Sequence, residues 1–174
     1  MKIFTIIKFI KLIIPRKLKN IIKIFVRKIN QRNNLKKFEL EACILSPGSS
    51  GTTYLMEFIK HFKKINCYHD SDFLKHQYKP PLKLLNIGVK VIFLKAKPED
   101  IYNSMKRRGW IEEQSIKINS LGGVLCTGKL QKFFFIKNIE KLINSFQILE
   151  PKYPNLLIID YDNIPQSIEV IKLL

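Results

Sequence analysis

A chain of 174 residues, 46% hydrophobic and 26% charged, is long enough for one domain with a substantial core. Its net charge of +17 is concentrated: twelve of the 31 Lys and Arg lie in residues 1–37, which hold no Asp or Glu, leaving 19 basic against 14 acidic residues elsewhere, a net of only +5. That distribution argues against a nucleic-acid partner, and three cysteines without a CxxC pair argue against a disulfide framework or zinc site and for a reducing, cytoplasmic compartment.

The first 31 residues alternate bulky apolar side chains with Lys and Arg, and no apolar run exceeds three residues, too short to cross a bilayer. Two short basic amphipathic helices, broken at Pro15, are expected. They suit an anionic membrane surface with peripheral attachment, or else an amphipathic helix packed on the domain with its lysines solvated. Gln31 to Asn34 reads as a polar linker, so the arm is taken as residues 1–37 and the α/β domain as 38–174. Phe38 to Leu45 is the first core strand. Tyr54, Leu55, Phe58, Ile59 and Phe62 repeat at helical spacing. Ile65 to Asp72 reads as a short strand and turn, and Phe73 to Pro81 as an extended segment entering a loop. Leu82 to Asn86 is a short helical or irregular piece. Val89 to Leu94 is the clearest strand, followed by a Pro98-Glu99-Asp100 helix start and a helix over Ile101 to Arg108. Residues 109–128, with four glycines, read as a long irregular loop. A helix over Leu130 to Leu149, a turn at Pro151 to Pro154, a strand over Leu156 to Tyr161 and a short helix over Pro165 to Leu174 complete the chain. Strands alternating with helices predict a parallel sheet with helices on both faces.

Between the first strand and its helix lie Ser46-Pro47-Gly48-Ser49-Ser50-Gly51-Thr52-Thr53. Such a loop points backbone N–H groups and a helix N-terminus at one spot, which suits a phosphate or sulfate; the glycines let the backbone close around it. The spacing approaches G-x-x-x-x-G-K-[ST], with Ser46 in place of the first Gly and Thr52 in place of the Lys. Without that Lys an ATP-handling loop is disfavoured. A Ser/Gly turn that only caps a helix is the plain alternative.

Ser50-Gly51-Thr52-Thr53-Tyr54 resembles the 5′-phosphosulfate loop of the sulfotransferase family, commonly P-K-S-G-T-T-W, with Ser49 at the family's Lys. Two further stretches resemble that family in its order. Leu74-Lys75-His76, before Pro80 and Pro81, is similar to the K-x-H segment carrying the family's base, here without the intervening residue. Val91 to Ser104 is similar to the 3′-phosphate segment R-x-P-x-D-x-x-x-S: Pro98, Asp100 and Ser104 fall on the pattern, and Ala96 stands at the Arg, flanked by Lys95 and Lys97. The strand Leu156 to Asp162 resembles the late strand ending in Y-E-D-L, and the later R-K-G-x-x-G-x-W segment has no counterpart.

The resemblance, which covers roughly residues 40–174, implies a three-layer, P-loop NTPase-like sheet behind the basic amphipathic helical arm, and 3′-phosphoadenosine 5′-phosphosulfate (PAPS) as donor. It implies Ser49, Ser50, Gly51, Thr52, Thr53, Lys95, Lys97 and Ser104 as donor contacts. It also implies sulfuryl transfer to a hydroxyl acceptor such as a glycan, with His76 as base and Lys75 as supporting cation. An imidazole suits proton removal near neutral pH, and a cation suits charge on a leaving phosphate. His76 is expected to reach over the open carboxyl edge of the sheet, and its removal to leave donor affinity and melting temperature nearly unchanged. A kinase-like phosphotransferase and a non-catalytic sulfotransferase-like binding protein are the alternatives.

Overall fold

The structure, a computed structural model, describes residues 15–35, 39–49 and 51–164. The first half of the expected arm, Ser50 and the expected last helix lie outside these residues.

Three short apolar runs form a parallel sheet: β1 (Ala42–Leu45), β2 (Lys90–Lys95) and β3 (Leu156–Asp160), in the order β1-β2-β3. Cys43 pairs with Val91 and Ile44 with Ile92, and Val91 in turn pairs with Leu156. Strand periodicity sends alternate residues to opposite faces. Cys43, Leu45, Val91, Phe93 and Leu156 pack on one side with Leu84, Leu85, Leu142 and Phe146. There the Phe93 and Phe146 rings stack with centroids 3.8 Å apart. Ile44, Ile92, Leu94 and Ile159 pack on the other side with Leu55, Met56 and Ile59. Both faces are therefore covered by helices, as a parallel sheet requires.

The helices, in chain order, are α1 (Arg16–Asn34), α2 (Thr52–Ile59), α3 (Leu82–Asn86), α4 (Pro98–Arg107), α5 (Ile111–Lys117), α6 (Leu121–Leu125) and α7 (Gly128–Gln147). α2 and α7 take opposite faces of the sheet, and α4, α5 and α7 share a third apolar cluster built on Ile101, Met105, Ile111, Phe135 and Ile139. Pro98 opens α4 and Glu99 and Asp100 occupy its first turn, as the helix dipole favours.

Two expectations change. Residues 109–128 are not an irregular loop, since they hold α5 and α6. The glycines at 122 and 123 mark close packing instead of loop: a Cβ on Gly122 would lie 2.3 Å from the Phe134 ring, and one on Gly123 2.3 Å from Ser115 Oγ. The supposed linker 31–34 is the last turn of α1.

That helix begins directly after Pro15, as the break there predicts, but packs in an unexpected sense. Its buried residues are Asn20, Ile24, Arg27 and Gln31, and its apolar Leu18, Ile22, Phe25, Val26 and Ile29 are exposed. Arg27 ion-pairs with Asp70 at 2.7 Å, both side chains under a tenth exposed. Arg27 also donates to the His76 carbonyl at 3.1 Å, Gln31 Nε2 to the same carbonyl at 2.9 Å, and Asn34 to the Asp72 carbonyl at 2.7 Å. At the other end Arg16 and Asn20 both reach Glu112.

Ala42 also bridges Ile65 in parallel on the edge of β1 away from β2. The chain thus leaves β1 to one side and returns to β2 on the other. Such a reversal opens a crevice at the carboxyl ends of the strands, where ligands of open α/β sheets bind.

Candidate functional site

The crevice is built outward from Ser46, the first residue beyond β1. Gly48 (φ 110°), Ser49 (φ 49°) and Gly51 (φ 69°) carry the chain through a tight reversal into α2. Ser46 Oγ accepts from Thr52 Oγ1 at 2.5 Å and from the Gly48 N–H at 3.3 Å, which closes the loop on itself. Thr52 is thereby a lock on the loop. Thr53, one position on, has its hydroxyl beside Lys75.

The segment 66–76 forms the opposite wall. Asn66 substitutes for a neighbouring strand: its Oδ1 accepts from the Ile44 N–H at 2.7 Å and its Nδ2 donates to the Ile44 carbonyl at 3.0 Å. Asp72 accepts from the Cys67 and Leu74 N–H groups, and Asp70 Oδ1 from the Lys75 N–H at 3.0 Å. These bonds fix Lys75 and His76 over the end of β1. The Ser46 N–H donates to the Lys75 carbonyl at 3.1 Å, and the His76 ring bonds the Ser46 carbonyl through Nδ1 at 3.0 Å.

A carbonyl only accepts, so Nδ1 carries the proton and Nε2 holds the lone pair. Burial pushes the His76 pKa down from 6.5 to about 4, against the partial opposition of Asp70 and the Ser46 carbonyl. The ring is therefore neutral at physiological pH. Lys75 Nζ donates to Thr53 Oγ1 at 3.2 Å and to the Tyr68 carbonyl at 3.1 Å, and lies over the Tyr68 ring. Burial lowers its pKa too, partly offset by Asp70.

A cleft of about 440 Å³ opens between these walls, lined by Gly48, Ser49, Gly51, Thr52, Thr53, Lys75 and His76. Ser49 Oγ is buried without a partner among the described residues. An unmade hydrogen bond at such a position is costly, and an oxyanion would supply it.

The third wall was not foreseen. Arg108, Trp110, Gln114 and Lys117, from the end of α4 and from α5, also line the cleft. Gln114 Nε2 donates to the Pro47 carbonyl at 2.5 Å, tying this wall to the loop, and the Arg108 guanidinium lies over the Trp110 ring. Arg107-Arg108-Gly109-Trp110 was the available signal: a helix C-terminus rich in cations beside an exposed aromatic. With Lys75 and Arg108 on the lining, Lys117 paired with Glu113 at 2.8 Å and the carboxylate of Asp70 paired with Arg27, the cleft carries a net positive charge.

Lys95, Lys97 and Ser104 do not join it. Lys95 pairs with Asp160 at 2.9 Å across the ends of β2 and β3, Lys97 is exposed before α4, and Ser104 is buried within α4. The structure thus brings Ser49, Gly51, Thr52 and Thr53 together with His76, the expected base, and Lys75, the expected supporting cation, and leaves the residues matched to the 3′-phosphate outside. The expectation that His76 can be removed without cost to stability is corrected by its burial and its bond to Ser46.

Gly51 gives a direct test of the loop. A Cβ there would lie 2.7 Å from Ile164 Cδ1 and 2.9 Å from the Tyr161 ring, in a left-handed conformation. Gly88 shares the conformation (φ 81°) with open space around it. Gly51→Ala is expected to cost about 1–3 kcal/mol in urea unfolding and Gly88→Ala about 1 kcal/mol. Equal losses would show that the loop yields freely around Gly51.

Scans against protein-family models, curated proteins and solved structures each found no match to this chain.

Proposed function

We propose that the cleft binds the phosphosulfate end of PAPS and supports sulfuryl transfer to a hydroxyl acceptor, within a P-loop NTPase-like fold. The observation that carries this reading is Lys75 Nζ 3.2 Å from Thr53 Oγ1 at the start of α2, next to the neutral ring of His76. The loop itself lacks a lysine, and a cation from the following segment stands at its head instead. When bound, PAPS would supply a sulfuryl group carried on a phosphate leaving group. Gly48, Ser49 and Gly51 would shape the cradle, and Ser49 Oγ would gain the partner it lacks. Lys75 would set positive charge against the phosphosulfate oxygens. Nε2 of His76 would take the acceptor's proton, with Ser46 holding the productive tautomer. Arg108 would add to the positive potential.

The absence of Lys95, Lys97 and Ser104 from the cleft favours a second reading, a non-catalytic domain that binds a smaller anionic ligand. Calorimetric titration with 3′-phosphoadenosine 5′-phosphate beside ATP separates these readings. The bisphosphate is expected to bind, and Lys75→Met to weaken it about 10–100-fold, the range for a lost charge-assisted hydrogen bond. Binding of ATP alone would point to a phosphotransferase, and binding of neither to the non-catalytic reading.

A further inference from the structure

α1 presents the wrong face to the core for an ordinary packed helix. At roughly 100° per residue, Leu18, Ile22, Phe25, Val26 and Ile29 form one stripe and the buried Asn20, Ile24, Arg27 and Gln31 form another about 180° away. The outward stripe is apolar and open, with Phe25 55% and Ile29 60% exposed. Lys19 and Lys23 border it on one side and Lys28 and Arg32 on the other, and α1 has no acidic residue. Water-facing apolar stripes of this size are costly unless something covers them.

A second feature adjoins the stripe. A cavity of about 600 Å³ lies between α1 and residues 77–83. Lys28, Arg32, Lys79 and Lys83 line it without a carboxylate, and so do Gln31 and Gln77. Gln31 Oε1 and Gln77 Nε2 are buried and have no partner among the described residues, and the two residues are only 2% and 3% exposed. Exposed Ile29 and Leu82 are shared between the cavity's rim and the apolar surface.

We infer that this face is a docking surface for an anionic phospholipid bilayer. The α1 stripe sinks into the boundary between headgroups and acyl chains, and the neighbouring cavity receives a lipid headgroup phosphate. Four cations match the phosphate, and Gln77 Nε2 and Gln31 Oε1 offer one donor and one acceptor to a headgroup that carries both phosphate and hydroxyl oxygens. The lipid commitment follows from the continuity of the two features: an apolar stripe bordered on both sides by cations and running into a cationic cavity matches a surface that is apolar beneath and anionic above. The inference is independent of the reaction proposed for the cleft. It also joins the membrane to that cleft, because the opposite face of the same helix holds Asp70 and the His76 carbonyl.

The test is co-sedimentation of the full chain with vesicles of phosphatidylcholine alone or with phosphatidylglycerol, for the wild type, F25D/I29D and K79E/K83E. The wild type is expected to prefer the anionic vesicles. F25D/I29D is expected to bind them at least about tenfold more weakly, with an unchanged melting temperature because both side chains face water. K79E/K83E is expected to lose the preference for phosphatidylglycerol. Equal binding of the wild type to both vesicle types overturns the proposal. So does full binding by F25D/I29D, which would put the lipid contact elsewhere, for example in residues 1–14. A stable dimer in the absence of lipid that F25D/I29D dissociates would assign the stripe to a second copy of the chain and equally overturn it.

Discussion

Arg27→Ala is expected to destabilise the fold by about 3–5 kcal/mol, the cost of leaving a buried charge without its partner. Arg27 and Asp70 are 8% and 5% exposed in their side chains, so water cannot replace the lost guanidinium. The same substitution removes one of the two donors to the His76 carbonyl. Asp70 also accepts from the Lys75 N–H, so its repositioning disturbs Lys75 as well. The loss should therefore appear both in urea unfolding and in nucleotide titration. Arg27→Met combined with Asp70→Leu is expected to recover only the part due to the unpaired charge, because it still leaves the Lys75 N–H without its acceptor and places a leucine at a φ of 60°. A loss below about 1 kcal/mol for Arg27→Ala would place the ion pair among those that solvent screens, and α1 would then be loosely attached.

His76→Ala is expected to lower turnover by about 10²–10⁴-fold if the ring is the base. It is also expected to cost about 1–3 kcal/mol, because the Ser46 carbonyl loses a donor in a buried setting. The pH dependence of stability distinguishes the ring from its neighbours. The folded pKa of about 4 lies below the ordinary 6.5, so between these values the unfolded chain binds more protons than the folded one. Stability from this group is then fully present above about pH 6.5 and is lost as pH falls toward 4, on the order of 3 kcal/mol in all. In the alanine variant that portion of the slope should vanish, whatever Asp72 and Lys75 contribute to both proteins. An unchanged slope would show a ring that titrates as if in water. Unchanged turnover with the slope removed would make His76 a structural residue alone.

The two substitutions probe one unit. Arg27 and Gln31 hold the backbone of residue 76 from behind, and Ser46 holds its ring from in front. A ring placed this way is rigid, which favours a fixed tautomer, and desolvated, which lowers its affinity for a proton. Ligand binding that brings negative charge against Lys75 would raise the His76 pKa, because Lys75 is one of the charges that now depress it.

Much of this arrangement is written locally in the chain. The runs Ala42 to Leu45, Val91 to Leu94 and Leu156 to Ile159 are apolar on both alternating sets, which a sheet covered on both faces can shelter, fully in the first two strands and partly in the third. Pro98 starts its helix because it lacks the N–H that a first turn leaves unused, and Pro15 stands just before Arg16 as the non-helical residue from which α1 begins. Gly48 and Gly51 sit where the backbone turns left-handed after a buried strand, so the loop was legible too. What local pattern could not decide is which contacts the polar residues make at long range. The face of α1 turned inward is set by Asp70 and the His76 carbonyl, 43 to 49 positions away, and by Glu112, more than 90 away. Periodicity alone assigns the apolar stripe to the core, yet a buried ion pair and two carbonyl contacts outweigh it once those partners are assembled. The same holds for Lys75, adjacent to His76 in the chain but placed at Thr53 by the turn that Asp70 and Asp72 lock, and for Arg108 and Lys117, carried to the cleft by the packing of α4 and α5 against α7. Apolar burial is non-directional and can be read from spacing, whereas a hydrogen bond or ion pair needs a particular partner at a particular place, and only the tertiary structure brings that partner there.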